Sequence, residues 1–568
     1  MNLFAGRIWD TIIVGGGSAG CVLANRLSAN PGHQVLLVEA GRDLLPGQEG
    51  SAILDMYPGR AAFDPANHWP DIAAHFRPVG NNSPYQPALR HYEQARLMGG
   101  GSSINGQVAN RGTPEDYDEW ETQGATGWNW SGVLPYFRKL ERDLDFGGEL
   151  HGQSGPIPIH RIPRDLWPLY SLAAADAMSG LGFADILDQN GVYSDGYFAQ
   201  SLSNDGTHRV SAAMAYLDSA TRKRKNLTIL ADTQVSGLVL NGRRMVGIDV
   251  QRNGQTQRMN ARRTILSSGA LHSPALLMRA GIGPGGDLRQ LGISVLLDRA
   301  GVGRNLQEHP GISVSAFLKP EARLQGTTRR HIHLALRYSS HIVDCPGSDM
   351  YMMVIAKSAW HPLGSRIGSL VSWINKGYSR GNVVLRSADP AISPVASFNF
   401  LADPRDADRL IESVRLMAKL FSSPSLAGLV EHASPSSYTG FAKALGRQTL
   451  QNWLLTAPTA VAIDRIPAMR SYLFERYVSG GKNLATLVAN ENALEDYVRE
   501  RAFGQWHACG TCRMGAAENR DAVVDPRNAE VHGIEGLHVI DGSVIPTAPR
   551  ANLNLPILMI AEKFADAL

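Results

Sequence analysis

An apolar run that breaks into three spaced glycines, Asp10-Thr-Ile-Ile-Val-Gly-Gly-Gly-Ser-Ala-Gly20, constrains the fold of this chain more than any other feature. Gly15, Gly17 and Gly20 stand at GxGxxG spacing, and Glu39 closes the next strand-like run, Gln34 to Val38. The spacing predicts a βαβ unit from about Trp9 to Ala40, with each glycine answering a separate need. The first permits a tight turn, the second lets backbone approach a pyrophosphate, and the third lets helix pack on strand. The helix starting near Ser18 then turns its positive end toward the phosphates. A carboxylate at Glu39 accepts hydrogen bonds from both ribose hydroxyls and repels a 2′-phosphate, so FAD or NAD fits and NADP does not.

At 568 residues the chain exceeds what one hydrophobic core supports, which predicts two domains or one with a large insertion. A net charge of +3, with no basic block longer than Arg222-Lys-Arg-Lys225, excludes a nucleic-acid footprint. No apolar stretch is long enough to span a membrane. The early first strand leaves no room for a secretory leader, so a cytoplasmic protein is expected. Four cysteines are too few for a disulfide framework. Cys509-Gly-Thr-Cys512 has the spacing of a redox pair or half a zinc site, but nothing completes a tetrahedral metal site; a structural role is expected, and no metal.

A loop-rich stretch from Gly41 to about Tyr92 reads as cover for a site. Between Leu227 and Arg262, Asn241-Gly242 and Asn253-Gly254 divide three β-rich runs into an expected antiparallel meander with type I′ turns. Thr264 to Gly269 reads as a separate buried strand feeding a helix from about Ser273 to Arg279. Strand-like runs at His333 to Tyr338, Met350 to Ile355, Ser369 to Asn375 and Asn382 to Arg386 predict the antiparallel sheet of a second domain. Asp403-Pro404 should cap a helix that presents Leu410, Val414, Met417 and Phe421 to that sheet. The last seventy or so residues return to the first domain with a helix capped near Asn490, a strand Leu537 to Asp541 and a terminal helix from about Leu555. Fold class is therefore mixed α/β: a Rossmann-like domain (1–155, 206–309, 491–568) interleaved with a substrate domain (156–205, 310–490) built on an antiparallel sheet flanked by helices.

The segment Ala95-Arg-Leu-Met-Gly-Gly-Gly-Ser-Ser-Ile-Asn105-Gly-Gln-Val-Ala109 is too rich in small residues for a core and must run against something flat or charged. It resembles the first signature of the glucose-methanol-choline oxidoreductases, flavoproteins that oxidise alcohols, with Met98 in place of a branched aliphatic residue. Gly269 to Gly283 resembles the second signature, with Ala280 for serine. Gly301 to His309 and Asp541-Gly-Ser-Val-Ile-Pro546 are similar to further family segments, so the likeness spans the chain. Arg111 to Trp120, Trp373-Ile-Asn-Lys376 and Trp506-His507 look most like bacterial oxidases of hydroxymethylfurfural and aryl alcohols. The stretch from about Phe441 to Gly481 is longer than those relatives lead one to expect, suggesting a lid or a subunit interface.

The resemblance implies that FAD is held by Gly15, Gly17, Ser18, Ala19, Gly20, Glu39, Ala40, Arg96, Gly99, Gly100, Ser103, Asn105, Gly106, Val108, Val235, Ser268, Gly269, Trp506, Asp541, Gly542, Asn552, Asn554 and Leu555. Ile104 occupies the position where some members carry a flavin-linking histidine, so non-covalent FAD is expected. Oxidising an alcohol needs a base of near-neutral pKa beside the flavin. His507, in His507-Ala-Cys-Gly-Thr-Cys-Arg-Met-Gly515, matches the family's active-site histidine. Asn552 matches its partner, with Asn554 the adjacent competitor. Trp373, Asn375 and Trp506 are expected to wall the substrate pocket, while His272, His309, His532 and His538 are expected to be structural. The implied reaction is oxidation of a primary, aromatic or furanic alcohol to the aldehyde, with reoxidation by O2 or another acceptor. A choline-like or aliphatic alcohol dehydrogenase passing electrons to a quinone, a hydroxynitrile-type lyase with non-redox FAD, and a non-enzymatic flavin-binding role are the alternatives.

Overall fold

A computed structural model describes residues 6–77, 89–252, 254–325, 329–436 and 440–568. Two seven-stranded sheets organise the chain. In the first, the spatial order is Leu227–Leu230, Val35–Val38, Ile8–Val14, Gln255–Leu266, Arg244–Arg252 and Gln234–Asn241. The strands Ile8–Val14 and Val35–Val38 pair in parallel, and all but one of the residues in the range 11–14 and all of Val35–Val38 are buried hydrophobics, as a sheet covered on both faces requires.

The meander differs from its sequence reading in three ways. Leu227–Leu230 is no part of it but a parallel edge strand beside Val35–Val38. The expected third strand and the expected return strand are one element, Gln255–Leu266. Its first half pairs with Arg244–Arg252 and its far end, along the same edge, with Leu537–Val539. Continuous hydrogen bonding to Ile8–Val14 from Asn260 to Leu266 keeps this strand from breaking. The first hairpin turn is formed by Gly242 and Arg243, with only the glycine in the left-handed region (φ +59°), which is not a type I′ turn. Asn253, in the second turn, lies outside the described residues. The helix after the sheet starts at Gly269 rather than near Ser273, because Asp541 accepts hydrogen bonds from the Gly269 amide (2.8 Å) and the Ser273 hydroxyl (2.6 Å).

The second sheet is antiparallel, in the order Val430–Ser436, Pro310–Leu318, Ile367–Ile374, Met350–Ile355, Ile332–Tyr338 and Gly196–Ala199, and Phe503–Gly504 adds to the start of Pro310–Leu318. The helix Pro404–Phe421, capped by Asp403, buries Leu410, Val414, Met417 and Phe421 against one face. Alternation along the strands leaves Ser313, Ser315, Ser369 and Val371 on the opposite face, toward a cavity. Asn382–Val384 does not belong here: it pairs with Val395–Ser397 in a separate four-stranded sheet containing Ala73–His75 and Arg90–His91.

Candidate active site

A cavity of about 910 Å³ runs from the glycine turn of the first sheet to the serine face of the second. That is near the upper end of the roughly 300 to 1,000 Å³ common for small-molecule sites. The two glycine segments clasp each other along one wall. The Gly99 amide donates to the Gly16 carbonyl (2.7 Å). A Cβ on Gly100, at φ +53°, would stand 2.8 Å from the Gly17 Cα, and one on Gly20 would meet the Gly15 carbonyl oxygen at 1.9 Å. Fully buried Arg209 holds the second segment from behind, donating to the Ser102 carbonyl (3.1 Å) and to Asn105 Oδ1 (2.8 Å).

Glu39 is pinned by the backbone amides of Gly16 and Gly41, each 2.8 Å from a different carboxylate oxygen, so both oxygens keep an acceptor site for a ribose hydroxyl. Burial raises its pKa while these amides pull it down. Ser18 and Asn554, at the starts of the first and last helices, meet at 3.3 Å and line the cavity, directing two helix N-termini into it. These groups fit FAD: an acid for the ribose, glycine backbone and helix ends for the pyrophosphate, and space in front of His507 for a flat ring.

Most of the expected cofactor residues line this cavity, but Gly20, Gly99, Ser103 and Leu555 do not. Gly20 and Gly99 make the close backbone approaches just described, Ser103 Oγ donates to the Met98 carbonyl (2.9 Å), and Leu555 is buried in the terminal helix. Trp373 and Asn375 also lie off the cavity. Trp373 is fully buried, stacks on Tyr351 with centroids 4.8 Å apart, and donates to Asn375 Oδ1 at 2.9 Å. The cavity is lined instead by Met353 and Val371 of the second sheet, and by Phe503 and Trp506 from the segment that leads to His507. Ile104 and Trp69, the latter tilted against His272 with centroids 4.5 Å apart and lying under Arg96, contribute elsewhere.

His507 and Asn552 converge. Asn552 Nδ2 lies 2.9 Å from His507 Nε2, both residues line the cavity, and Asn552 Oδ1 is buried with no hydrogen-bond partner among the described residues. His507 Nδ1 lies 2.9 Å from Nδ1 of His309, a fully buried residue expected to be structural that is the direct neighbour of the His507 ring. Amide donation to Nε2 leaves that nitrogen unprotonated, so Nδ1 carries the proton and gives it to His309. Burial, aided by His309, holds the His507 pKa well below the ordinary range, and burial pushes His309 down to about 3. The imidazole is therefore neutral.

The loop is fixed by Glu308, which the sequence reading missed. Its carboxylate accepts from the backbone amides of His309 and His507 (both 2.8 Å) and Gln505 (3.2 Å), and from the Tyr92 hydroxyl. Burial raises its pKa to about 7. The signal lay in the Gln-Glu-His309 segment, where an acid directly precedes a histidine at the end of a family-like stretch. Trp506 is held at φ +61°, a strained conformation for a bulky side chain, and this turn presents His507 to the cavity. Cys509 and Cys512 are buried, unbridged thiols whose pKa values burial raises, which makes them inert. His532 and His538 hydrogen-bond backbone carbonyls away from the cavity. Glu141, Asp143 and His151 cluster closely enough to hold a metal, but Arg111 and Arg161 already neutralise the carboxylates.

A mixed sheet whose parallel strands carry a clasped glycine turn, facing an antiparallel sheet across a neutral histidine, defines an FAD-dependent oxidoreductase of alcohols. Two family models, both described as GMC oxidoreductase, match residues 9–311 and 377–561. The chain belongs to the GMC oxidoreductase family. It is 42% identical to 5-(hydroxymethyl)furfural oxidase of Methylovorus sp. (strain MP688), covering 99% of this chain and 98% of that one. It is 30% identical to mitochondrial choline dehydrogenase of Homo sapiens, covering 99% and 89%. Among solved structures, pyridoxine 4-oxidase from Mesorbium loti superposes with a TM-score of 0.79 at 27% identity, covering 98% of both chains. The lyase alternative gains no support from these relatives.

Proposed function

We propose that the protein oxidises a primary alcohol carried on an aromatic or furan ring to the aldehyde, with His507 as the base and Asn552 positioning the oxygen. The observation that carries this reading is the 2.9 Å approach of His507 Nε2 to Asn552 Nδ2 at the junction of glycine cradle and apolar wall. Bound FAD supplies the hydride acceptor. A carbinol hydroxyl that replaces the amide at Nε2 gives its proton to that nitrogen, and the displaced Asn552 amide donates a hydrogen bond to the carbinol oxygen. Met353, Val371 and Phe503 exclude water around the ring, and Ser313, Ser315, Ser369 and Ser436, linked hydroxyl to hydroxyl at 2.7 to 3.0 Å, offer polar contacts further out. Non-covalent attachment is supported by Ile104 at the position where a linking histidine stands in other members. A cytoplasmic setting is supported by four free thiols, and no helix among the described residues is long and apolar enough to cross a membrane.

Anaerobic mixing of the holoenzyme with benzylic, furanic and aliphatic alcohols and choline, followed by air, tests the substrate class. Furanic or benzylic alcohols should bleach the flavin fastest, and rapid return of colour in air identifies oxygen as the acceptor. His507→Ala should retain flavin and slow bleaching by roughly 10² to 10⁴. Fastest bleaching by choline would replace this reading with the choline-like one.

A further inference from the structure

Between the last strand of the second sheet and the helix Glu491–Arg501, the chain builds a helical cap from Gly440–Gly446, Leu450–Arg465 and Pro467–Leu473, followed by a π-helical turn, Phe474–Ser479. Phe441 and Tyr477, stacked at 5.2 Å, are half exposed and also line the cavity, so the cap stands at its opening. We propose that this cap docks on the surface of an anionic phospholipid bilayer, placing the cavity mouth against the lipid.

The first support is the density of exposed apolar surface. Nearly half of the large hydrophobic side chains exposed on the described surface fall between Phe441 and Tyr477, including Leu450 (73%), Leu454 (56%), Leu455 (55%) and Tyr472 (62%). Leu450–Arg465 packs on the protein through Thr456, Ala460 and Ile463, yet its outward side is also apolar, with Leu450, Trp453, Leu454 and Val461 recurring at helical spacing. A helix with apolar side chains on its outward as well as its inward side wants cover on both. At 16 residues it is about 24 Å long, short of a roughly 30 Å hydrocarbon core, and so suits lying along an interface rather than crossing it.

The second support is charge. Exposed Arg447, Arg465 and Arg476 flank the apolar side and make no ion pair among the described residues. The only acids between 441 and 482 are Asp464 and Glu475, and Asp464 is engaged by Arg323 and Arg366. Trp453, Tyr472 and Tyr477 present rings with polar tips, suited to head-group depth. Anionic head groups complement this arrangement. A second copy of the chain, related by a two-fold axis, would bring the same arginines against one another.

Flotation of the holoenzyme with vesicles of phosphatidylcholine, alone or mixed with phosphatidylglycerol, tests the proposal. Binding should favour the mixed vesicles by a factor on the order of 100, from three arginines at the surface, and should fall at high salt. The double variant Leu454→Glu, Leu455→Glu should lose vesicle binding while keeping its flavin and its turnover of water-soluble benzyl alcohol. Absence of binding to either vesicle, or equal binding to both, would overturn the proposal. So would light scattering that finds a dimer which the double variant dissolves, because a second copy would then be the occupant.

Discussion

At the scale of single residues, the proposed reaction requires one neutral imidazole. His507 has its pKa depressed by burial and by His309, so the unprotonated form persists as pH falls below the ordinary histidine range. The rate kcat/KM should therefore stay flat from neutral pH down past 6.5. Asn552→Asp puts a carboxylate 2.9 Å from Nε2, which favours the imidazolium and raises that pKa. Activity in this variant should fall at neutral pH and recover as pH rises, a shift absent from Asn552→Ala; coincident profiles for the two variants would contradict a titrating His507. That His507 and Asn552 meet at one cavity was expected from the sequence because each sits in a short motif. His309 and Glu308 were not legible as partners of the base, since their roles depend on a strand and a loop meeting about two hundred positions apart. Trp373 misled because an aromatic beside a site and one buried behind it look alike in sequence.

At the scale of elements, strand type and helix faces were readable from periodicity, whereas pairing partners were not. Gln255–Leu266 reads as two strands because nothing local records that its two halves meet different neighbours on one edge. Capping was more legible: Asp403 and Asn490 accept from Arg405 and Ala493 amides at 3.0 and 3.1 Å, as their side chains suggest. The helix begun by Asp403 is tied to the second sheet by fully buried Arg409, which bridges Asp406 and Asp349 and donates to the Lys376 carbonyl at 2.7 Å. Arg409→Met strands two buried carboxylates and should lower stability by about 3 to 5 kcal/mol in urea denaturation followed by fluorescence. A loss below about 1 kcal/mol, the scale of an exposed pair, would show that the bridge contributes little.

At the scale of the whole molecule, the cavity that fits the cofactor lies between the two sheets. If FAD is held without a covalent bond, denaturing the holoenzyme in guanidinium and filtering it should pass all flavin into the filtrate. Flavin retained with the polypeptide would contradict Ile104 as a position that leaves the ring unlinked. Refolded apoprotein should gain about 2.7 kcal/mol when FAD is supplied at a hundred times its Kd. The forked strand adds a temporal demand. Ile8–Val14 is made more than five hundred residues ahead of Leu537–Val539, yet both flank Gln255–Leu266. At roughly 5 to 20 residues per second, a ribosome holds the early glycine turn without its closing strand for tens of seconds. During that interval the far end of Gln255–Leu266 is an open edge, so nascent chains stalled before residue 537 should be chaperone clients that cannot yet retain flavin.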